Sequence, residues 1–356
     1  MRSKIALLGM FHDQQEQDDP VRQRQQVLRV YAEFVSNAHQ LYAHLARYIK
    51  TERLLTEASK RHSSVPGLSA YRAESVIFNT RLSALPYLIA LCENTEEVQR
   101  VYTAAKQYNL PVRVRAGGHD HAGECTGDNV VLIDVSRLKG FNYSEDTEEV
   151  RVGAGHRFYE LTPELAKHDR MIAHGTCATV GLTGFIQGGG WGPWTRKYGM
   201  CCEHLVGATV ILGSGDKVEV SESHNEHILW ALRGGGGMSY GLVTELVIKT
   251  FPLPEVIHRF ELEWNCPKPA SDCYLSPDPQ HVTLDILKAW EQVIRSTHTS
   301  ALLGTNLKIN ALPGTGDTDV FQLHHHCVMY GYWEGSQEAL EAFIAAEFAG
   351  VPPGAI

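Results

Sequence analysis

Val27, Tyr31, Phe34, Ala38, Leu41, Leu45 and Ile49 recur every three or four residues. That is the stripe of one long amphipathic helix, or of two with a bend. Asp19-Pro20 before it reads as an N-cap followed by proline at the first helical position. Such a stripe is ordinarily a core face, so it is read as packing on the main domain rather than as a helix for a partner. Another helix opens at Asn94-Thr95-Glu96-Glu97 in the manner of a capping box, runs through Val98, Val101 and Tyr102, and stops at Asn109-Leu110-Pro111. The pattern then changes to short β-type runs over 112–115, 130–135, 149–155, 206–212, 217–220 and 241–250. Strands alternating with helices predict an α+β or α/β domain of mixed sheets. Pro252 and Pro254 punctuate its end. Strands over 259–264 and 322–332 and helices over 283–296 and 337–348 follow, and with no closing strand this reads as an unfinished α/β unit. The expected organisation is a helical N-terminal extension over 1–66, a mixed domain over 67–254 and a partial second domain over 255–356.

Composition narrows the class. A chain of 356 residues suits about two domains, and 43% hydrophobic with 21% charged residues excludes a disordered or fibrous protein. The net charge of −9 argues against nucleic acid as a partner, because phosphate binding needs a basic face. No apolar run reaches the ~18 residues of a membrane-spanning helix. The run from Ile5 to Phe11 behind Arg2 and Lys4 is short and lacks a small-residue cleavage site, so a cytoplasmic protein is expected, with secretion left open. The eight cysteines are scattered without a CxxC pair, which indicates neither a disulfide framework nor a zinc knuckle. His324-His325-His326 does not predict a metal site, since neighbours on a strand point to opposite faces and at most two could converge.

Glycine is the unusual feature. It clusters at Gly117-Gly118, over 175–192, over 213–215 and over 234–237. Clusters like these let backbone approach a ligand closely. No cluster forms GxGxxG or GxxxxGK[ST], so a dinucleotide would need another fold. Tight turns explain each cluster alone. They explain Gly188-Gly189-Gly190-Trp191-Gly192 poorly, because four glycines in five positions carry a large entropic cost.

The stretch from Val114 to Gly123, with Arg115-Ala116-Gly117-Gly118-His119-Asp120 at its centre, resembles the RxGGHxxxG signature of FAD-linked oxidases with a PCMH-type domain. Gly175-Thr176-Cys177-Ala178-Thr179-Val180-Gly181, then Gly188 to Gly192 and Arg196-Lys197-Tyr198-Gly199, resemble the GxCxTVG…GGGxG…RKYG block of the berberine-bridge-enzyme-like branch. Trp230 to Gly237 and Gly241-Leu242-Val243-Thr244 match its WALRGGGG…GxVT block. The four blocks keep their order over roughly residues 70–254, which makes the resemblance specific.

The resemblance implies an α+β fold with a two-subdomain FAD-binding domain followed by a substrate domain. It implies that His119 bonds the flavin 8α-methyl and Cys177 bonds flavin C6. Arg115, Ala116, Gly117, Gly118, Asp120 and Gly123 would form the turn facing the pyrophosphate. Thr179, Val180 and Gly181 would line the ring, Val243 would meet the adenine end, and Gly184, Gly188, Gly189, Trp191 and Gly192 would complete the cofactor wall. Val180, smaller than leucine, would leave O₂ a path to the flavin. The implied reaction takes hydride from an alcohol carbon of a sugar, oligosaccharide or natural product and passes electrons to O₂, with no metal, nucleic acid or membrane involved. The oligomeric state is not implied. Gly184-Phe185 departs from the family's usual Gly-His pair. A C-terminal Tyr/Asn motif of the family is not found, which leaves the base unnamed and predicts little turnover from this stretch alone. Tyr330 and Tyr332 are candidates for the base, though packing accounts for them as well. The alternative is a catalytically incomplete FAD-binding remnant that serves as a binding or assembly module through its N-terminal helix.

Overall fold

A computed structural model of the chain describes residues 20–59, 62–264, 283–296, 303–311 and 325–354. The run from Ile5 to Phe11, Asp19, Cys266, Cys273 and His324 lie outside the described residues. Two compact units emerge. One comprises the chain up to Leu165 with Cys177–Gly189 and His204–Thr250; the other comprises Ala166–Thr176, Gly190–Glu203 and the chain from Phe251 onward.

In the first unit, strands β1 (Leu54–Leu55), β2 (Leu88–Leu91), β3 (Val112–Arg115) and β4 (Val131–Asp134) form a sheet in the order β1-β2-β4-β3. β2 and β3 both run parallel to β4, while β1 is antiparallel to β2. All residues of β2 and β4 are buried. Strands covered on both faces read as continuous apolar runs instead of alternating ones, which is how Leu88-Ile89-Ala90-Leu91 escaped the period-2 pattern. One face packs Leu88, Ala90, Val131 and Ile133 against helix α1 (Pro20–Leu45) and against α3 (Thr95–Gln107). The other packs Ile89, Leu91 and Leu132 on Tyr71 of α2 (Ala70–Ser75).

Within the expected 1–66 extension, the described residues from Ala38 to Leu55 are therefore part of the main domain. Ala38, Leu41, Leu45 and Ile49 are in the main core, and Leu54–Leu55 is a strand of the sheet. Burial of the stripe decides this, since a short domain boundary cannot cut through a shared core. Only the N-terminal end of the stripe, at Val27, Leu28 and Tyr31, is exposed. At the start of α3, Asn94 Oδ1 accepts the Glu97 N–H at 2.9 Å as expected of an N-cap. The Glu97 carboxylate accepts the Glu93 N–H and takes the Arg53 guanidinium at 2.5 and 2.7 Å instead of closing a box on Asn94.

The second sheet of this unit is antiparallel. Its strands are β5 (Phe141–Ser144), β6 (Glu149–Gly153), β7 (Leu205–Ile211), β8 (Lys217–Ser221) and β9 (Leu242–Lys249), in the order β5-β6-β9-β7-β8. Helices α4 (Phe158–Ala166), α5 (Leu182–Gln187) and α6 (Glu226–Leu232) intervene in the chain.

In the second unit, β10 (Ile257–Trp264), β11 (Leu303–Ala311) and β12 (His325–Glu334) pair antiparallel in the order β10-β12-β11. Phe260, Leu262, Trp264, Cys327, Met329 and Trp333 turn one face toward α7 (Thr283–Arg295) and α8 (Gln337–Glu347). β11 was not expected: Gly304, Asn306 and Asn310 interrupt its β pattern, and pairing with β12 supplies what its propensity lacks. Among the described residues no helix is long and apolar enough to cross a membrane.

Candidate cofactor site

The site is built at the ends of β3 and β4. In register, Arg115 faces Asp134 across the pair. The buried Arg115 guanidinium donates to Asp134 Oδ2 at 2.7 Å and to the Glu74 carbonyl at 2.5 Å. Its charge is thus spent inside the protein, and Arg115 anchors the following loop from below without lining the cavity above it. The loop leaves with Gly117 pressed backbone to backbone against Gly181, where a Cβ on residue 117 would lie 2.5 Å from the Gly181 nitrogen. Gly118 has φ +74°, a conformation glycine takes at no steric cost. Asp120 Oδ1 accepts the N–H groups of Ala122 and Gly123 at 2.7 and 3.0 Å and closes the turn. The N–H groups of Gly117, Gly118 and His119 donate to no other described group, while that of Asp120 points to the Cys125 thiol. A run of unspent backbone donors in a glycine loop is a nest for an anion.

Two side chains from separate loops meet at this turn. His119 Nε2 lies 3.0 Å from Thr179 Oγ1, and Cys177 Sγ lies 3.4 Å from the same oxygen. The Phe78 ring stacks on the imidazole, with 4.2 Å between centroids and 19° between planes. Burial, then the charges of Arg157 and His121, push the His119 pKa below its ordinary value, so the ring is neutral near pH 7. The Thr179 hydroxyl, then the Thr179 N–H, hold the exposed Cys177 thiol below the usual cysteine range, which favours the thiolate nucleophile.

A cavity of about 570 Å³ opens beside these loops. Among the residues expected at the cofactor, Ala116, Gly117, Gly118, His119, Asp120, Val180, Gly181, Gly184 and Val243 line it. Gly123, Cys177, Thr179, Gly188 and Gly189 do not, although the first three support the turn. Trp191 and Gly192 belong to the second unit, where a Cβ on Gly192 would collide with the His174 carbonyl, so this glycine serves close packing there. Tyr332 is also in that unit, 6.5 Å from the Trp194 ring, and Tyr330 lies under Lys308 at 5.6 Å. Among the described residues no cluster of His, Cys, Asp or Glu could hold a metal ion.

The cavity wall also contains residues not expected at the site: Thr183, Phe185, Gln187 and the loop residues Gly237, Met238, Ser239 and Gly241. The WALRGGGG block signalled the loop, but no motif signalled Gln187. Gln187 is buried, its amide N–H donates to the Thr183 carbonyl at 3.0 Å, and its Oε1 has no partner among the described residues. A buried orphan acceptor in a cavity wall calls for an N–H or O–H donor from an occupant. The glycine cradle, the unspent N–H groups and this acceptor fit a large nucleotide cofactor.

Residues 86–221 match the FAD binding domain family. Over 206 residues the chain is 34% identical to the carbohydrate oxidase of Microdochium nivale, covering 56% of this chain and 41% of that protein. Over 249 residues it is 29% identical to the glucooligosaccharide oxidase of Sarocladium strictum, covering 68% of this chain and 47% of that protein. The chain thus spans less than half the length of these curated relatives. The structure of Physcomitrella patens BBE-like 1 aligns with a TM-score of 0.70 at 22% identity, covering 88% of this chain and 59% of that one. Fold and site together define an FAD-binding domain of the PCMH type. In sequence over 86–221 the chain is similar to FAD-binding domains, and in fold it resembles berberine-bridge-enzyme-like flavoproteins.

Proposed function

We propose that the first unit holds FAD bonded to both His119 and Cys177, and that the whole protein is an oxidase. It would take hydride from an alcohol carbon of a sugar or oligosaccharide and pass the electrons to O₂. The observation that carries this reading is the meeting of His119 and Cys177, far apart in sequence, on one Thr179 hydroxyl beside the cavity. Bound there, the flavin supplies the hydride acceptor and the two-electron chemistry. The chain's residues do the rest. The N–H groups from Gly117 to His119 would take the pyrophosphate, and Gln187 Oε1 would accept a hydrogen bond from the cofactor. Val180, Gly181 and Phe185 would line the ring, and Val243 would meet the adenine end. A neutral His119 offers a ring lone pair, and an exposed, acidified Cys177 offers a thiolate. A covalent tether removes cofactor dissociation from an open cleft.

The substrate class draws support from two directions. The two relatives described above are carbohydrate-oxidising proteins by name. The face of the β10-β12-β11 sheet opposite its helices carries Glu261, Asn306, Lys308, Tyr330 and Tyr332, hydrogen-bonding groups mixed with aromatic rings. A hydroxyl-rich ligand is held by that combination. The alternative of a non-catalytic assembly module finds no support in the C-terminal half of α1, whose Ala38, Leu41 and Leu45 are spent in the core.

The test begins with colour. The full chain carrying flavin is precipitated with acid; a yellow pellet is expected for wild type and for the single variants His119→Ala and Cys177→Ala. Only the double variant should release its flavin. FAD freed from wild type by acid refutes the double attachment. Hydrogen peroxide release by the whole protein on a panel of oligosaccharides tests the substrate class, and silence across the panel with flavin bound refutes it.

A further inference from the structure

We propose that the Thr179 hydroxyl is a shared positioning group that presents His119 and Cys177 to the cofactor as one unit. The inference rests on the reading above that both residues bond the flavin. Its footing is geometric: one oxygen lies 3.0 Å from His119 Nε2 and 3.4 Å from Cys177 Sγ. The backbone holds that oxygen in place. The Val180 N–H donates to the Cys177 carbonyl at 3.2 Å, and the Tyr159 N–H donates to the Ala178 carbonyl at 2.9 Å. The contact of Gly117 with Gly181 joins the loop of His119 to the loop of Thr179. The imidazole is then gripped twice, on its face by Phe78 and at its edge by Thr179.

A hydroxyl has one proton to donate and lone pairs with which to accept. When Cys177 is a thiolate, Thr179 donates to sulfur and accepts the Nε2–H of His119. The lone pair of the ring then sits on Nδ1, which has no hydrogen-bond partner among the described residues. Ionisation of the sulfur and the tautomer of the imidazole are thereby coupled through a single oxygen. Each attachment replaces an N–H or S–H and one flavin C–H with an N–C or S–C bond. The two protons and two electrons released leave on O₂ as hydrogen peroxide.

The test uses the full chain prepared without flavin, with FAD then added in air. Peptides bearing flavin at His119 and at Cys177 are counted by mass against time. Thr179→Val, which keeps the shape and loses the hydroxyl, should slow both attachments by about tenfold or more, the scale of losing orientation at a reacting group. Thr179→Ser should restore the wild-type rate. Before FAD is added, the pH midpoint of Cys177 alkylation by iodoacetamide should move up in Thr179→Val and stay in place in Thr179→Ser. A side chain that only packed would leave that midpoint unmoved. Thr179 is exposed, so both variants should fold, and Thr179→Ala carries the same expectations if Val does not. Wild-type attachment rates in Thr179→Val, slowing at one residue only, or failure of Ser to rescue overturns the proposal. FAD bound to wild type with neither residue attached overturns both this proposal and the double attachment, and leaves FAD binding standing.

Discussion

Replacing Gly117 with alanine tests whether the close approach of two loops builds the site. A Cβ on residue 117 would lie 2.5 Å from the Gly181 nitrogen and 2.8 Å from its Cα, and a Cβ on residue 181 would lie 2.7 Å from the Gly117 nitrogen. Both neighbours are backbone, so no flexible side chain can swing away. Ordinary contact begins near 3.4 Å, so the loops must part by about 0.9 Å. Overpacking on this scale costs about 1–3 kcal/mol. For a unit of this size that lowers Tm by about 2–12 °C. The chemical effect should be larger than the thermal one. His119 follows Gly117 by two residues and Thr179 precedes Gly181 by two, so the same displacement stretches their 3.0 Å contact toward about 4 Å. Melting curves and flavin content per chain are the assays for Gly117→Ala, with Gly140→Ala as the control. Gly140 has open space where its Cβ would go and no positive φ, so its variant should match wild type. A Gly117→Ala protein with wild-type Tm and wild-type flavin content would refute the claim that this contact sets the geometry of the site.

Two other outcomes follow from the core and the cavity wall. Burial raises the Glu97 pKa, but the Arg53 bond and the Glu93 N–H outweigh it and leave the carboxyl below its usual range. Its stabilisation is therefore full above the ordinary carboxylate pKa and is lost as pH falls through the lowered folded value. Glu97→Gln leaves the 7% exposed Arg53 side chain with only the half-exposed Glu93 carboxylate, 3.5 Å away, as counter-charge and should cost up to about 3 kcal/mol at pH 7, a gap that denaturant titrations should see close in acid. Gln187→Leu removes the orphan acceptor. The flavin-free chain should melt no lower than wild type, while FAD affinity, measured in the His119→Ala, Cys177→Ala background, should fall by about tenfold. Equal affinity would show that Gln187 Oε1 does not meet the cofactor.

Sequence alone determined the parts of this protein that depend on local chemistry. The glycine-flanked His119 loop, the Cys177 block and the order of the motifs pointed to FAD. The start of α1 at Pro20, the Asn94 cap, and the helices over 283–295 and 337–347 were legible because caps and 3.6-residue spacing are local signals. Tertiary structure decided what depends on contact at a distance. Leu88–Leu91 became a central strand because both its faces are covered, and covered strands carry no alternation to read. The expected extension became core because Leu41 and Leu45 found α3 and its sheet. Arg115, expected beside the pyrophosphate, turned inward because Asp134 stands opposite it in register. Gln187 joined the cavity wall without any motif, since only folding brings it beside the His119 loop. Thr179 read as one letter of a motif. Its place between His119 and Cys177 exists only because Gly117 and Gly181 let two backbones touch where any larger residue would hold them apart.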